Sequence, residues 1–323
     1  MMGKYATVEV VIGAEIKDRN ESKRPALVKS PAVIKKSPLT LCFERDVDIS
    51  QYPVLNAHII DDKPVVPLAL MMEWFAHGAL HPNPGLIMHG LDDIQVLKGI
   101  RLEHEKHQIR LFADKLRKND GHYEVAVELR GGNDIGQDVI HSRAKAILGD
   151  HLVSPPLYQF SKLMIAGTYN KNIQDIYDEI LFHGFELRGI RKIVSCSTRG
   201  MVARLSAAPG PRQWMSSPLR DRWIADPLVL DSAFQMAIVW CYEEKRTVSL
   251  PSSVTSYRQY RHQFPTEGVT AVLEVSEIAD HKMRGDFTFS DCNGEIVARL
   301  TGYQAIVDAS LLKAFKPRYS ALA

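Results

Sequence analysis

The chain has 323 residues, 45% hydrophobic and 24% charged, an ordinary composition for a globular protein and a length that suggests about two domains. Forty Lys and Arg against thirty-eight Asp and Glu leave a formal charge of +2, which argues against a nucleic acid or an acidic membrane as partner, since both favour a clustered positive excess. Cys42, Cys196, Cys241 and Cys292 are far apart and form no CxxC pair, so a disulfide scaffold or zinc ribbon is disfavoured and reduced, mostly buried thiols are expected in a cytoplasmic protein.

The first twenty residues are interrupted by Glu9 and Glu15 and make a poor secretory signal, and no apolar run approaches the length of a membrane span. Residues 17–38 are charged and carry Pro25, Pro31 and Pro38; residues 1–38 read as a linker, with a compact unit starting near Leu39. Next comes PLALMMEWFAHGAL (67–80), apolar nearly all round and therefore a buried helix. From 98 to 150 apolar and polar residues alternate, Ile109 and Leu111 in one run and Tyr123, Val125, Val127 and Leu129 in another. Turn chemistry separates these strands at NDG (119–121) and GGNDIG (131–136). Residues 151–170 contain Pro155-Pro156 and read as a connection, and 172–181 as a helix. LDSAFQMAIVWCY (230–242) is a second helix apolar on all sides, and strands with a DCNG turn (291–294) follow it. VELRGGNDIGQDVIHSRAKAIL (127–148) is similar to FTFSDCNGEIVARLTGYQAIV (287–307). A buried helix wrapped by an antiparallel sheet, occurring twice, describes a duplicated α+β unit.

Two constellations could carry chemistry. His58 precedes Pro67 by nine residues, and Pro67 opens the first buried helix, whose N-terminal N–H groups could stabilise a small anion. Asp231 and Gln235 share a face at the start of the second. The apolar neighbours Val229, Leu230, Phe234, Met236 and Ile238 would favour a protonated carboxyl. Either residue alone is more simply a satisfied polar group or an N-cap; matched placement in two similar halves is what favours chemistry. His77, His81 and Glu73 share a helix face without an evident further ligand, and HEKH (104–107) lacks zinc-helix spacing, so no metal is expected.

His58 to Pro67 resembles the HxxxGxxxxP motif of dehydratase domains from modular polyketide synthases and polyunsaturated fatty acid synthases. ADPLVLDSAFQ (225–235) resembles their DxxxQ motif, LFHGFELRGI (181–190) their YGPxFxxL region and LPSSVTSYR (250–258) their LPxxxxxxR stretch, all in the family's order. The resemblance implies a double hotdog: a linker (1–38), a first hotdog with the catalytic His (39–150), a connection (151–170), a second hotdog with the catalytic Asp (171–312) and a tail (313–323). It implies loss of water from a 3-hydroxyacyl thioester on an acyl carrier protein, with His58 as base and Asp231 as acid. Gln235 and Pro67 would support them, and Asp62, Val66, Leu68, His183, Gly184, Leu250 and Pro251 would lie along the substrate tunnel. No cofactor is expected beyond the carrier's phosphopantetheine. The implied partners are the acyl carrier protein and neighbouring synthase domains, and a homodimer stays open.

The sequence departs from the pattern at Asp62, where the family has Gly, at Leu68, and at His183 and Phe185, which replace Tyr and Pro. A carboxylate at 62 could repel a developing enolate or point to solvent. These departures keep open a non-catalytic acyl-binding or dimerisation module, and a product-template-type cyclase is a second enzyme reading; a hotdog thioesterase fits the four motifs less well.

Overall fold

The computed structural model describes residues 39–102, 107–132, 138–157, 168–279 and 281–315. The expected linker, the GGNDIG turn beyond Gly132, most of HEKH and the centre of the connection at 158–167 lie outside them.

The strands are β1 (Thr40–Val47), β2 (Ile59–Ile60), β3 (Lys63–Pro64), β4 (Ile87–Val96), β5 (His107–Ala113), β6 (Arg117–Asn119), β7 (His122–Gly132), β8 (Asp138–Gly149), β9 (Ile190–Ser197), β10 (Gly200–Leu205), β11 (Val248–Gln259), β12 (Val269–Ala279), β13 (Lys282–Ser290) and β14 (Ile296–Asp308). The helices are α1 (Leu68–Leu80), α2 (Ile173–Glu179), α3 (Pro227–Lys245) and α4 (Leu311–Phe315). One antiparallel sheet runs β1-β5-β7-β8-β4-β11-β14-β13-β12-β10-β9, with β6 paired to β7. Outward from the β4–β11 seam, β8 and β7 occupy the places of β14 and β13. These are the strand pairs whose sequences look alike.

Each half wraps its own helix. α1 packs on β4, β5, β7 and β8, and α3 on β9, β10, β11 and β12, while the two helices touch each other. A helix held in an antiparallel wrap, twice over in one continuous sheet, is a double hotdog. Both helices are buried through most of their length because their sequences offer no polar face. A fully buried Phe75 or Met72 contributes about 1.5–3 kcal/mol relative to exposure. At the seam, a Cβ on Gly90 would stand 1.8 Å from the Tyr257 carbonyl oxygen, so only glycine lets the halves approach this closely. Among the described residues no helix is long and apolar enough to cross a membrane.

Three expectations are corrected here. The second buried helix starts at Pro227, and its N-cap is Asp226, which accepts from the N–H groups of Leu228 and Val229. Asp231 therefore sits inside the helix, where no capping role is available to it. Residues 313–315 are not tail: they complete α4, where the Phe315 ring packs on Phe182 at 4.5 Å and the Ala314 carbonyl accepts from the Asp61 N–H. Of the cysteines only Cys241, on α3, is buried; Cys42 and Cys196 are half-buried and Cys292 is exposed, because they lie near sheet edges and turns.

Candidate active site

His58 is placed by a short hairpin. A 3-10 turn, Pro53–Ala57, delivers the chain to His58, and β2 and β3 then fold back through Asp61 and Asp62. Both turn residues have left-handed φ, 54° and 59°, as a type I′ two-residue hairpin requires. This explains why a glycine is natural at position 62, and aspartate is among the few other residues that tolerate the conformation. The fold-back sets Val65 opposite His58. The Val65 N–H donates to the His58 carbonyl at 2.9 Å, and the Val65 carbonyl lies 2.8 Å from His58 Nδ1. A carbonyl only accepts, so Nδ1 carries the imidazole proton and Nε2 presents its lone pair. Two residues on, Pro67 is the N-cap of α1.

Asp231 comes from the second turn of α3, 3% exposed. Gln235, one turn later, donates from Nε2 to Asp231 Oδ2 at 2.8 Å and to the Leu187 carbonyl at 2.8 Å, while Tyr177 of α2 donates to Gln235 Oε1 at 2.9 Å. The other carboxyl oxygen, Oδ1, stands 4.0 Å from His58 Nε2. The pair opens on a cavity of about 60 Å³, room for a few waters. Its walls are apolar: Ile60, Val65, Val66, Leu68 and Met71 on one side, Phe182, Phe234, Ile238, Leu250 and Pro251 on the other.

Burial pushes both groups toward neutrality. It lowers His58 to about 4, against a partial rise from the Val65 carbonyl, and lifts Asp231 to about 7, against the Gln235 hydrogen bond that favours its anion. Near neutral pH the cavity thus holds an unprotonated imidazole nitrogen facing a carboxyl that is half protonated or more. An acid and a base sit side by side without neutralising each other.

Of the expected tunnel residues, Val66, Leu68, His183, Leu250 and Pro251 line the cavity, as does Pro67. Asp62 and Gly184 do not. The left-handed turn directs Asp62 to solvent, and its carboxylate is exposed away from the site. Gly184 has no side chain to offer, and its N–H donates to the Ala57 carbonyl at 2.7 Å. That bond, with the bridge pairing His58 and His183, brings the third motif against the first. His183 is buried, its Nε2 3.4 Å from Asp231 Oδ2 and its ring stacked on Phe182. Phe234 and Ile238, named from the sequence as apolar neighbours of Asp231, follow it at helical spacing and line the cavity as well. Tyr177 carries no such sequence signal.

His58, His183 and Asp231 offer three ligand atoms within 4.8 Å of one another. Zinc bonds of 2.0–2.1 Å bring tetrahedral ligands to roughly 3.4 Å apart, so the trio is spread wider than a single ion asks. The Glu73 carboxylate is engaged by the N–H groups of Ile224 and Ala225, and His77 Nδ1 accepts from Arg220 at 3.1 Å. These two residues tie α1 to the loop before α3.

Residues 167–307 match the family described as polyketide synthase dehydratase N-terminal domain. The chain is 27% identical over 224 residues to a large polyunsaturated fatty acid synthase polypeptide of Thraustochytrium sp. (strain ATCC 26185 / S-3), covering 69% of this chain and 8% of that protein, so it spans less than a tenth of the relative's length. The dehydratase domain from the CurF module of curacin polyketide synthase superposes with a TM-score of 0.67 at 18% identity, covering 87% of this chain and 97% of that one. A trans-AT polyketide synthase dehydratase domain from Brevibacillus brevis gives 0.66 at 16% identity, covering 82% and 93%. The family match over its second half, the sequence relative and the shared double hotdog make the chain similar to the dehydratase domains of polyketide and polyunsaturated fatty acid synthases.

Proposed function

We propose that the protein removes water from a 3-hydroxyacyl thioester, giving the 2-enoyl thioester, and that an acyl carrier protein presents the substrate on its phosphopantetheine arm. The single observation that carries this reading is the 4.0 Å approach of His58 Nε2 and Asp231 Oδ1, one a free base and the other an acid, at one apolar cavity. His58 takes a proton from C2. The electron pair of that C–H bond forms the C2–C3 double bond, the C3–O bond breaks, and the departing hydroxide leaves as water with the proton of Asp231. Return of the proton from His58 to Asp231 restores the starting state. The first N–H groups of a helix have no partner within it, so Leu68 at the start of α1, on the cavity wall, is the donor assigned to the thioester oxygen.

The geometry also constrains how the acyl chain lies. Contact with both groups from between them would need about 6 Å, twice a hydrogen-bond reach, and only 4.0 Å is present. The chain therefore crosses the pair along one side. The step asks for no cofactor beyond the pantetheine arm. The great length of the curated relative supports neighbouring synthase domains as partners.

The test is to incubate the protein with a 3-hydroxyacyl-pantetheine thioester, and with the enoyl thioester for the reverse reaction, and to follow mass. Loss or gain of one water is expected. A released acid would indicate a thioesterase, and a folded protein inert in both directions would overturn the reading in favour of a binding module.

A further inference from the structure

Two backbone groups fix the direction of every hydrogen bond leading to Asp231. The Ile190 N–H can only donate, and it reaches the Tyr177 phenol oxygen at 2.8 Å. The phenol proton therefore points the other way, to Gln235 Oε1 at 2.9 Å. The Leu187 carbonyl can only accept, and it holds Gln235 Nε2 at 2.8 Å. Clamped at both ends, the amide has one orientation, and its remaining N–H must donate to Asp231 Oδ2. The carbonyl oxygen of a carboxylic acid is its better acceptor, so donation to Oδ2 favours the proton on Oδ1, the atom facing His58 Nε2.

We infer that Tyr177 is a positioning residue: through Gln235 it fixes the proton of Asp231 on the oxygen that faces the substrate. The inference rests on the dehydratase reading for its consequence, but not for its geometry. Tyr177 is not part of the cavity lining. It lies on α2, is 3% exposed, and its hydroxyl accepts from one backbone donor and donates to one side-chain acceptor. A phenol buried only for its ring would be served by phenylalanine. Here the hydroxyl is the link between the β9 backbone and the one hydrogen bond that favours the Asp231 anion. Without it the Leu187 carbonyl alone holds the amide, whose plane is then free to swing. Donation to Oδ2 weakens, the anion loses support, and the acid proton spreads over both oxygens. The other titratable groups around Asp231 are His58 and His183 from the loops at the cavity and Tyr303 from β14; among the described residues none of these three is hydrogen-bonded to Gln235.

The experiment uses Tyr177→Phe in the full chain, with two readouts. Carboxyl-13C aspartate labelling, with Asp231→Asn to identify the signal, follows the ionisation of Asp231. Its midpoint should move upward by about 0.5–1 on the pH scale relative to wild type. In the enoyl-hydration assay kcat should fall about tenfold or more with KM changed less than about twofold, as expected of misplacement in place of lost binding. A folded Tyr177→Phe protein in which Asp231 ionises as in wild type would overturn the inference, because a purely structural role lowers stability without moving that ionisation. Should Tyr177→Phe fail to fold, fluorotyrosine at position 177 keeps the shape and strengthens the donor, and Asp231 should then ionise at lower pH; no change would again overturn the inference. If wild type itself shows no turnover while the ionisation still responds to Tyr177, the dehydratase reading fails and the positioning link stands.

Discussion

Asp226, the N-cap of α3, and Asp231 in its second turn lie five residues apart, and what donates to each sets them to different tasks. Three backbone N–H groups, of Leu228, Val229 and Ala208, surround the Asp226 carboxylate, whereas Asp231 receives one side-chain amide. Burial raises both, Asp226 to about 6 and Asp231 to about 7. Asp226 is thus mostly an anion at neutral pH and serves the helix; Asp231 retains a proton and faces the cavity.

Replacing each separates the two tasks. Asp226→Ala removes the N-cap and leaves the Ala208 N–H without its acceptor, so it should cost about 1–2 kcal/mol or more of stability. Denaturant titration reads this directly. Asp231→Asn keeps the shape and should remain folded while losing nearly all turnover in the thioester assay.

The pH dependence follows from the same groups. Turnover requires His58 unprotonated and Asp231 protonated, so dehydration should rise as pH passes about 4, hold level, and fall above about 7. Beyond the alkaline limb the loss approaches about tenfold per pH unit. Stability carries a matching signature. Between 3.8 and about 7 the unfolded chain has released the Asp231 proton and the fold has kept it, so this group makes the protein less stable as pH rises through that window, by up to about 1.4 kcal/mol per unit. Asp231→Asn should abolish this contribution, as chemical melts across the range would report.

At the Asp61-Asp62 turn the backbone, not the charge, sets the requirement. Asp62→Gly should leave turnover within about twofold and stability equal or better, because glycine meets the left-handed φ without steric cost. Asp62→Val, branched at Cβ, should lose about 1–2 kcal/mol. A large gain in rate with Asp62→Gly would show instead that the carboxylate acts on the reaction centre.

Because the acyl chain must pass along one side of the His58–Asp231 pair, hydrogen and hydroxyl should leave from the same face. Substrates of one C3 configuration carrying deuterium at one or the other C2 position test this by mass: the isotopomer whose deuterium shares the hydroxyl's face in the conformer leading to the observed alkene should lose its label and its epimer keep it, and the reverse would show loss from opposite faces.

Much of this architecture is legible in the sequence. The two helices announce themselves because they are apolar on every side, and the duplicated strand pairs because the Gly/Asn turns and Arg positions repeat. His58 and Asp231 stand out by their places relative to those helices. Asp-Pro at 226–227 is itself a helix-start signal, and a helix begun at Leu230 on its apolar run alone passes over it. Tyr177 is hidden, since an aromatic on an amphipathic helix says only that one face is buried, and its role depends on Ile190 and Gln235, distant in sequence. The placement of Asp62 depends on a turn type that residue identity alone leaves open.

The pairing of β4 with β11, from Gly90 against Arg258 to Gln95 against Ser253, makes the two wrapped helices part of a single woven shell. Such a shell cannot hinge open between its halves without unzipping its middle. On the proposed function, an acyl substrate must then reach the His58–Asp231 pair without any large-scale jaw movement between the halves.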